Sequence, residues 1–324
     1  MKKTVILYKD IPEDLLVKLK NEFNVIFFDG LTPDNRQAFA EAVKTADGMI
    51  GSTYPISNDL LENATNIKAI ATISVGYDSF DVSYLTSRGI RLMNTPDALT
   101  DTTADTLFAL VIATARRVAE LDTLIRKGQW THSIGPEHYG IDVHHKTIGI
   151  IGMGRIGSAL AKRAHAGFDM KVLYNARTQH SDVEENYQAT RCELNELLQQ
   201  SDFVCLTVPL TKETEHLIAK EQFKLMKPTA ILINGARGKV VNEHDMIEAL
   251  KTGVIRAAGL DVFTAEPLPG SSPLISLPNT VLLPHIGSAT TETRYKMVEC
   301  AIDNLIAALK AEKPTENWVN PQAG

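Results

Sequence analysis

Short apolar runs alternate with helical patterns along almost the whole chain, and this alternation limits the possible folds more than any other feature. In the first third of the chain the apolar runs lie at 4–8, 25–29, 48–52, 68–74 and 91–94. A second series lies at 147–152, 171–176, 203–208, 230–236, 257–262 and 281–285. Strands that alternate with helices form parallel sheets covered on both faces. The pattern therefore predicts an α/β fold with two doubly wound parallel-sheet domains, which also suits a length of 324 residues.

A long helical pattern separates the two series. The segment 100–127 contains no glycine or proline, and its centre is apolar nearly all round. We expect a single long helix here, with a domain hinge just before it. The loop-like segment 128–145 could be an arm near a subunit interface or an ordinary surface connection. An amphipathic helix at about 291–310 could cross back to the first domain, and the polar tail 314–324 is expected to be irregular.

Composition argues against several classes of function. The net charge is −6 and the chain has no basic stripe, so no nucleic-acid partner is expected. No apolar run is long enough to span a bilayer, and the start MKKTVILYKD is typical of a first strand rather than a secretory signal. The scattered cysteines Cys192, Cys205 and Cys300 fit neither a disulfide framework nor a metal site, and Cys205 is expected to be buried. These features fit a protein of the reducing cytoplasm without a bound metal.

The hexapeptide GMGRIG at 152–157 has the pattern G-x-G-x-x-G. It stands between the apolar run TIGIIG and the helical stretch RIGSALAKRAHAGF, which is the strand–turn–helix context that the pattern requires. In that context Gly152 permits a tight turn, Gly154 lets the backbone approach a pyrophosphate, and Gly157 lets the helix pack closely on the strand. A glycine-rich turn without a ligand is the alternative. The context favours a Rossmann domain that binds a dinucleotide at the helix N-terminus.

The end of the second strand of that domain bears on the choice of cofactor. NAD-specific sites usually place a carboxylate there to bind the ribose 2′-hydroxyl. This chain has Asn175 instead, followed by Arg177 and Thr178, with His180 as a weaker candidate. An arginine can bind a 2′-phosphate through a charge-assisted pair of hydrogen bonds. The stretch favours NADPH, whereas a solvated Arg177 would leave NADH equally acceptable.

Three charged or titratable residues follow or close apolar runs of the second domain. Arg237 follows AILINGA, Glu266 follows AAGLDVFTA, and His285 closes VLLPH. Ligands of open α/β sheets bind outside the carboxyl ends of the strands, so these side chains could meet at one mouth. Arg237 could hold the carboxylate of a 2-oxo acid, while His285, kept protonated by Glu266, could supply the proton for its reduced ketone. The alternative is that each residue serves only its own turn or loop.

Several longer segments resemble the D-isomer-specific 2-hydroxyacid dehydrogenase family, namely HHKTIGIIGMGRIG, DFVCLTVPLTKETEHLI, AILINGARGKVVNE, AAGLDVFTAEP and LLPHIGSAT. The resemblance covers essentially the whole chain. It implies a flavodoxin-like substrate-binding domain made of residues 1–99 and 287–324, and a Rossmann dinucleotide-binding domain of residues 100–286. It also implies a homodimer built on the domain that carries the long helix.

The resemblance further implies which residues contact the two ligands. The catalytic motifs of the family fall on Arg237, Glu266 and His285. Substrate contacts are expected from the backbone amides of Val75 and Gly76 and from Arg237, His285 and Ser288. Cofactor contacts are expected at Gly152, Gly154, Arg155, Ile156, Gly157, Asn175, Arg177, Thr178, Pro209, Thr214, Ala236, Asp261 and Gly287.

Within the family, TISVGYDSFD, WTHSIGPEHYG and VLYNAR are most similar to the bacterial glyoxylate/hydroxypyruvate reductases that also reduce 2-ketogluconate. We therefore expect an NADPH-preferring reductase that converts glyoxylate to glycolate and hydroxypyruvate to D-glycerate, with 2-ketogluconate as a further candidate. Another dehydrogenase of the family, such as 3-phosphoglycerate dehydrogenase, is an alternative. Many of those enzymes carry an added C-terminal regulatory domain, which we do not expect here because the sequence ends at residue 324. A non-enzymatic protein that senses dinucleotides is the other alternative, since relatives act as transcriptional corepressors.

Overall fold

The computed structural model describes residues 2–52, 54, 56–310 and 317–323. The chain forms two compact units, one made of Met1–Leu99 with Thr290–Gly324 and the other of Thr100–Ala289. The chain thus passes between units at 99/100 and 289/290, where the sequence suggested 99/100 and 286/287.

The first unit is built on a five-stranded parallel sheet. Its strands are β1 (Thr4–Leu7), β2 (Asn24–Phe27), β3 (Gly48–Gly51), β4 (Ala69–Thr72) and β5 (Arg91–Met93). Between them lie α1 (Glu13–Glu22), α2 (Arg36–Thr45), α3 (Asn58–Leu61) and α4 (Val82–Ser87). The strand order β2-β1-β3-β4-β5 is that of flavodoxin, so the predicted fold of this unit is confirmed. In this order the chain leaves β1 and β3 towards opposite edges of the sheet.

The second unit is built on a seven-stranded parallel sheet. It begins with α5 (Thr100–Ala115) and α6 (Val118–Arg126). The strands are β6 (Thr147–Ile151), β7 (Lys171–Asn175), β8 (Thr190–Arg191), β9 (Phe203–Leu206), β10 (Ile231–Asn234), β11 (Ala257–Leu260) and β12 (Thr280–Leu282). The helices between them are α7 (Arg155–Phe168), α8 (Ser181–Tyr187), α9 (Leu194–Gln200), α10 (Lys220–Leu225) and α11 (Glu243–Lys251). After this unit the chain returns to the first unit as α12 (Thr291–Lys310).

The strand order of the second sheet, β12-β11-β10-β9-β6-β7-β8, is the Rossmann order with one further strand beside β11. The predicted Rossmann fold is therefore confirmed, with seven strands where the sequence indicated six. The strand that was missed is β8, which has only two residues, both exposed. Such a segment has no apolar pattern to detect. Cys205 is fully buried in β9, as expected.

The single helix expected over 100–127 is wrong, because two helices occupy this segment. The break lies at Arg117, whose backbone is left-handed with φ 56°. The Arg117 guanidinium donates to the Glu120 carboxylate at 2.8 and 2.7 Å and to the Glu137 carbonyl at 2.6 Å. These contacts hold the turn and the following loop together. The hydropathy pattern does not reveal the turn, because the pattern continues across it. As predicted, α5 is buried along much of its surface and packs on β10 and β11.

The helix α12 packs on β3, β4 and β5 of the first unit and runs alongside α1. Of the tail that was expected to be irregular, residues 314–316 and 324 lie outside the described residues. The part at 317–323 is ordered against β5, since Trp318 forms an antiparallel bridge with Met93 and the Asn320 side chain accepts from the Leu92 amide at 2.8 Å. Among the described helices, none combines the length and the apolar character needed to cross a membrane.

Candidate active site

The strand order of the second unit reverses between β6 and β9, and the glycine loop follows β6 at this point. Gly152 has φ 101°, and a Cβ there would lie 2.9 Å from backbone atoms of Thr207 and Val208. A side chain at this position would be strained and would clash, so glycine is required. The Thr207 hydroxyl donates to the Gly152 carbonyl at 2.5 Å, which pins the loop to β9. Sequence reasoning missed Thr207, because it has no place in the glycine pattern.

The other two glycines also fit a bound pyrophosphate. A Cβ on Gly157 would lie 2.1 Å from the Gly152 carbonyl oxygen. The contact between α7 and the loop is therefore too close for any side chain at this position. A Cβ on Gly154 would meet no atom within 4 Å, which leaves open space beside the first turn of α7. That turn, which includes Arg155 and Ile156, has no side-chain cap. Open space at an uncapped helix N-terminus suits a phosphate.

The loop after β7 carries the residues expected to select the cofactor. Asn175 is the last residue of β7, and its side-chain amide donates to the Cys192 carbonyl at 3.0 Å. Arg177 and Thr178 are exposed. Arg191 donates to the carbonyl oxygens of Ala176 at 3.0 Å and of Arg177 at 3.1 Å. Arg191 therefore fixes the backbone of this loop, a contact that spacing along the chain does not reveal.

The remaining residues expected to line the cofactor site all follow strands of the second sheet. Pro209 and Thr214 lie in the loop after β9, which the Thr214 hydroxyl closes by donating to the Pro209 carbonyl at 2.6 Å. Ala236, Asp261 and Gly287 follow β10, β11 and β12 respectively. In a parallel sheet these positions share the edge formed by the carboxyl ends of the strands.

The structure brings His285 and Glu266 together. The Nδ1 atom of His285 and the Oε2 atom of Glu266 are 2.7 Å apart. Because an ionised carboxylate can only accept, the imidazole Nδ1–H is the donor, which leaves Nε2 free to exchange a proton. The other oxygen of Glu266 accepts from the Phe263 amide at 2.9 Å. The expectation that His285 closes a strand is wrong, since β12 ends at Leu282 and His285 lies in a turn with φ 53°.

Arg237 follows β10, and the Asn234 side chain holds its backbone. The Asn234 amide group donates to the Arg237 carbonyl at 3.1 Å, and the Asn234 side-chain oxygen accepts from the Ala236 amide at 3.0 Å. The next residue is Gly238, where a Cβ would lie 1.9 Å from the Phe263 carbonyl carbon. The absent side chain therefore lets the loop after β10 lie directly against the loop that carries Glu266.

The charges of the trio act on one another. Burial raises the pKa of Glu266, but the hydrogen bonds from His285 and the Phe263 amide, with the charges of His285 and Arg237, outweigh it and hold the pKa below its ordinary value. The carboxyl group is thus kept ionised beside the imidazole. The charge of Arg237 makes the smallest of these contributions. Arg237, Glu266 and His285 follow β10, β11 and β12, so all three lie on the side of the sheet formed by the carboxyl ends of the strands.

Asp261 shapes the turn that carries His285. Its two carboxylate oxygens accept from the amides of Ile286 at 2.7 Å and of Gly287 at 2.8 Å. Burial raises the pKa of Asp261, while these two amides lower it in part. Fixed amides on the residues directly after His285 hold its left-handed backbone in place. The sequence suggested Asp261 only as a residue that lines the cofactor, and its hold on this turn was not foreseen.

The expected substrate contacts are divided between the units. Val75 and Gly76 follow β4 in the first unit, where the Val75 carbonyl accepts from the Asn94 side chain at 2.8 Å and the Gly76 carbonyl accepts from the Ser74 hydroxyl at 2.6 Å. Both carbonyls are therefore anchored within that unit. Ser288 lies in the second unit, three residues after His285.

Comparison with known proteins identifies relatives of the whole chain. Residues 108–287 match the family model of the D-isomer specific 2-hydroxyacid dehydrogenase, NAD binding domain. Glyoxylate/hydroxypyruvate reductase B of Serratia proteamaculans is 56% identical over 322 residues, which cover 99% of each chain. A crystal structure of an NADPH-dependent glyoxylate/hydroxypyruvate reductase from Sinorhizobium meliloti with NADP and malonate is 30% identical, with a TM-score of 0.85 over 100% of this chain and 98% of that one. A glyoxylate reductase from Paecilomyes thermophila is 29% identical, with a TM-score of 0.90 over 99% of both chains.

The chain belongs to the D-isomer-specific 2-hydroxyacid dehydrogenase family. The predicted membership is therefore confirmed, and with it the class of enzyme, a dehydrogenase that uses a nicotinamide dinucleotide.

Proposed function

We propose that the protein is an NADPH-preferring reductase of small 2-oxo acids, with glyoxylate and hydroxypyruvate as substrates and 2-ketogluconate as a further candidate. The observation that carries the proposal is the contact of 2.7 Å between His285 and Glu266, at the sheet edge that also holds Arg237 and the glycine loop. The relatives named glyoxylate/hydroxypyruvate reductase support the choice of substrates.

In this proposal the dinucleotide, when bound, supplies the hydride that reduces the ketone. His285 supplies the proton that the resulting alkoxide needs, from Nε2, because Nδ1 is held by Glu266. The ionised Glu266 stabilises the imidazolium before the transfer and orients the ring throughout. In the reverse direction the neutral imidazole takes the proton from the hydroxyl group of the 2-hydroxy acid.

Arg237 binds the substrate through its guanidinium. A planar guanidinium can hold a carboxylate with two parallel hydrogen bonds and polarise the neighbouring carbonyl. Arg237 lies between the buried Ala236 and Gly238, and Asn234 holds its backbone. Because Asn234 belongs to the sheet, the backbone from which the guanidinium extends is fixed in position. We propose that the amides of Val75 and Gly76 bind the same carboxylate.

The preference for NADPH rests on the loop after β7. Neither Asn175 nor the residues after it as far as His180 carry a carboxylate, and Arg177 and Thr178 are exposed where a 2′-phosphate would lie. Arg191 adds a second positive charge while it fixes this loop. The Sinorhizobium meliloti relative was crystallised with NADP.

The experiment that tests the function is a panel of glyoxylate, hydroxypyruvate, 2-ketogluconate and pyruvate, each assayed with NADPH and with NADH. We expect glyoxylate and hydroxypyruvate to give the highest kcat/KM, with NADPH preferred. Replacement of Arg177 by alanine should raise the KM for NADPH and leave the KM for NADH nearly unchanged. An equal effect on both cofactors would contradict the assignment of the 2′-phosphate. Absence of turnover with every acid, together with tight dinucleotide binding, would favour a sensing protein instead.

We also propose that the protein is a homodimer built on the segment that begins with α5. Val118, Ile125, Trp130 and Tyr139 are each at least half exposed, and they lie close together along the chain. Large apolar side chains that are exposed together are typical of a protein interface. Light scattering on the purified protein should give twice the mass of the 35.6 kDa chain, and Trp130→Ser should weaken the dimer. A monomer at micromolar concentration would contradict the proposal.

A further inference from the structure

A line of hydrogen bonds in the first unit joins α12 to the loop after β4. The side chain of Asn304, which is buried in α12, donates to the Asn94 carbonyl at 2.9 Å. Asn94 follows β5, and the amide of the next residue, Thr95, donates to the Ser74 carbonyl at 3.0 Å. The Asn94 side chain donates to the Val75 carbonyl at 2.8 Å. Both bonds thus reach the loop that we propose binds the substrate carboxylate.

The planarity of the peptide bond means that these contacts also fix the direction of two amides. In a trans peptide the carbonyl of one residue and the amide N–H of the next lie in one plane and point in opposite directions. The bond to the Ser74 carbonyl therefore fixes the direction of the Val75 N–H, and the bond to the Val75 carbonyl fixes that of the Gly76 N–H. These are the two amides of the proposed carboxylate site.

The same reasoning applies to Asn304. Its bond to the Asn94 carbonyl fixes the peptide plane that carries the Thr95 N–H, which is the donor to Ser74. Because a carbonyl can only accept, the NH2 group of Asn304 faces Asn94, and its side-chain oxygen is left for another donor. That oxygen accepts from the Asn317 side chain at 3.1 Å, and the Asn317 carbonyl accepts from the Asn94 amide at 3.2 Å. Asn317 thus holds both Asn304 and Asn94.

Burial makes the bond between Asn304 and Asn94 costly to lose. The two residues are 5% and 9% exposed, so water cannot readily replace a missing partner. A buried polar group that is left unpaired costs more than the bond itself contributes. Without the Asn304 donor, the Asn94 peptide is stabilised by any rotation that brings its carbonyl to another donor, and such a rotation misdirects the Thr95 amide.

We propose that Asn304 is a positioning residue for the substrate carboxylate and that it acts through the peptide between Asn94 and Thr95. The contact from Asn317 orients Asn304 in turn. This inference rests on the proposed function, in which two amides of the loop after β4 bind the carboxylate. It adds α12 and the segment at 317–323 to the elements that support that site.

Steady-state kinetics on Asn304→Leu test the proposal, because leucine has a similar size and neither donates nor accepts. We expect the KM for glyoxylate to rise roughly tenfold, which is about the contribution of one amide bond to a bound carboxylate. The kcat and the KM for the dinucleotide should stay nearly unchanged, because the change affects the binding of the carboxylate and not the transfer of hydride.

Asn320→Leu is the matched control, since Asn320 is also buried and holds the same strand. Its side chain accepts from the Leu92 amide at 2.8 Å and donates to the Ile90 carbonyl at 2.9 Å, away from the loop after β4. Both variants should have a lower Tm than the natural protein, because each leaves buried backbone groups unpaired. Only Asn304→Leu should have a higher KM for glyoxylate.

Amide hydrogen exchange measures the effect on the peptide without enzyme activity. The Thr95 residue is fully buried and its amide is bonded, so exchange in the natural protein should be slow. Well below the Tm, this exchange should become at least tenfold faster in Asn304→Leu and should stay slow in Asn320→Leu. An unchanged rate in Asn304→Leu overturns the positioning role, whereas absence of glyoxylate turnover in the natural protein would contradict the proposed function instead.

The proposal is also overturned if the KM for glyoxylate is unchanged in Asn304→Leu, or if it rises equally in Asn320→Leu. Asn317→Ala serves if Asn304→Leu fails to fold, because it removes only the side-chain contact to Asn304 and keeps the backbone bond to Asn94. It should give a smaller rise in the same KM, and an unchanged KM there would then overturn the proposal.

Discussion

Replacement of Glu266 by glutamine removes the negative charge beside His285 and one of the two acceptor oxygens. The glutamine side-chain oxygen can still accept from the Phe263 amide, so the loop keeps its shape. In the natural protein the other carboxylate oxygen is 2.7 Å from the imidazole nitrogen. The glutamine NH2 group that takes its place cannot accept from the imidazole Nδ1–H. The variant therefore removes the charge and the acceptor that together stabilise the imidazolium of the proposed acid.

The size of that effect follows from distance and exposure. Two unit charges about 4 Å apart interact by about 4 kcal/mol at an effective dielectric constant near 20. The side chains of His285 and Glu266 are 47% and 35% exposed, so solvent screens much of this energy. We take about 1–2 kcal/mol as the remainder, and since about 1.4 kcal/mol corresponds to a factor of ten in rate, kcat/KM for reduction should fall roughly five- to thirtyfold.

The sign follows from the proposed role of His285. In the proposed reduction His285 donates the proton as the imidazolium, so a change that destabilises this form lowers kcat/KM. Glu266 itself stays ionised over the working range, because its pKa is held below its ordinary value of 4.5. Its contribution is therefore lost only as the pH falls through that lowered pKa.

The assay is kcat/KM for glyoxylate reduction at neutral pH, measured on the natural protein and on Glu266→Gln. Glu248→Gln is the matched control, because Glu248 is paired only with Lys251, at 3.2 Å, in the described part of the second unit. That variant should keep the natural kcat/KM. An unchanged kcat/KM in Glu266→Gln would refute the role of Glu266 in stabilising the proposed proton donor.

Other changes probe the same edge of the sheet. Replacing His285 by alanine should lower kcat far more than it weakens cofactor binding in a fluorescence titration, and equal losses would contradict its role as the acid. Gly238→Ala places a Cβ 1.9 Å from the Phe263 carbonyl carbon, so the Tm and kcat should both fall, and unchanged values would contradict the close approach of the loops. Arg191→Met removes the bonds that hold the backbone at Arg177, so the KM should rise more for NADPH than for NADH, whereas an equal rise would indicate general loosening.

The fold and much of the glycine loop could be predicted because their signals are local. Apolar alternation shows buried parallel strands, and the demands on Gly152 and Gly157 arise within a few residues of the turn. The break at Arg117 could not be predicted, since it depends on a bond to the carbonyl of Glu137, which is 20 residues away. The strand β8 was missed because it has only two exposed residues.

The candidate trio could be named from sequence, but its supporting residues could not. Arg237, Glu266 and His285 are chemically conspicuous, and each follows an apolar run that marks a strand. Asn234 and Thr207 are ordinary polar residues at strand ends, and their importance appears only once their partners are known. The position of His285 three residues beyond β12 was also unpredictable, because LLPH continues the apolar run without a visible stop.

These supporting contacts join the loops after β10, β11 and β12 into one structure. Asp261, which follows β11, holds the amides next to His285, and Gly238, which follows β10, lets its loop lie against Phe263. Glu266 closes the arrangement through the same Phe263 and the imidazole. A left-handed non-glycine backbone persists only where surrounding contacts hold it, and His285 has such contacts on both its ring and the residues that follow it. Hence the placement of His285, the proposed proton donor, is a property of three neighbouring strands rather than of one motif.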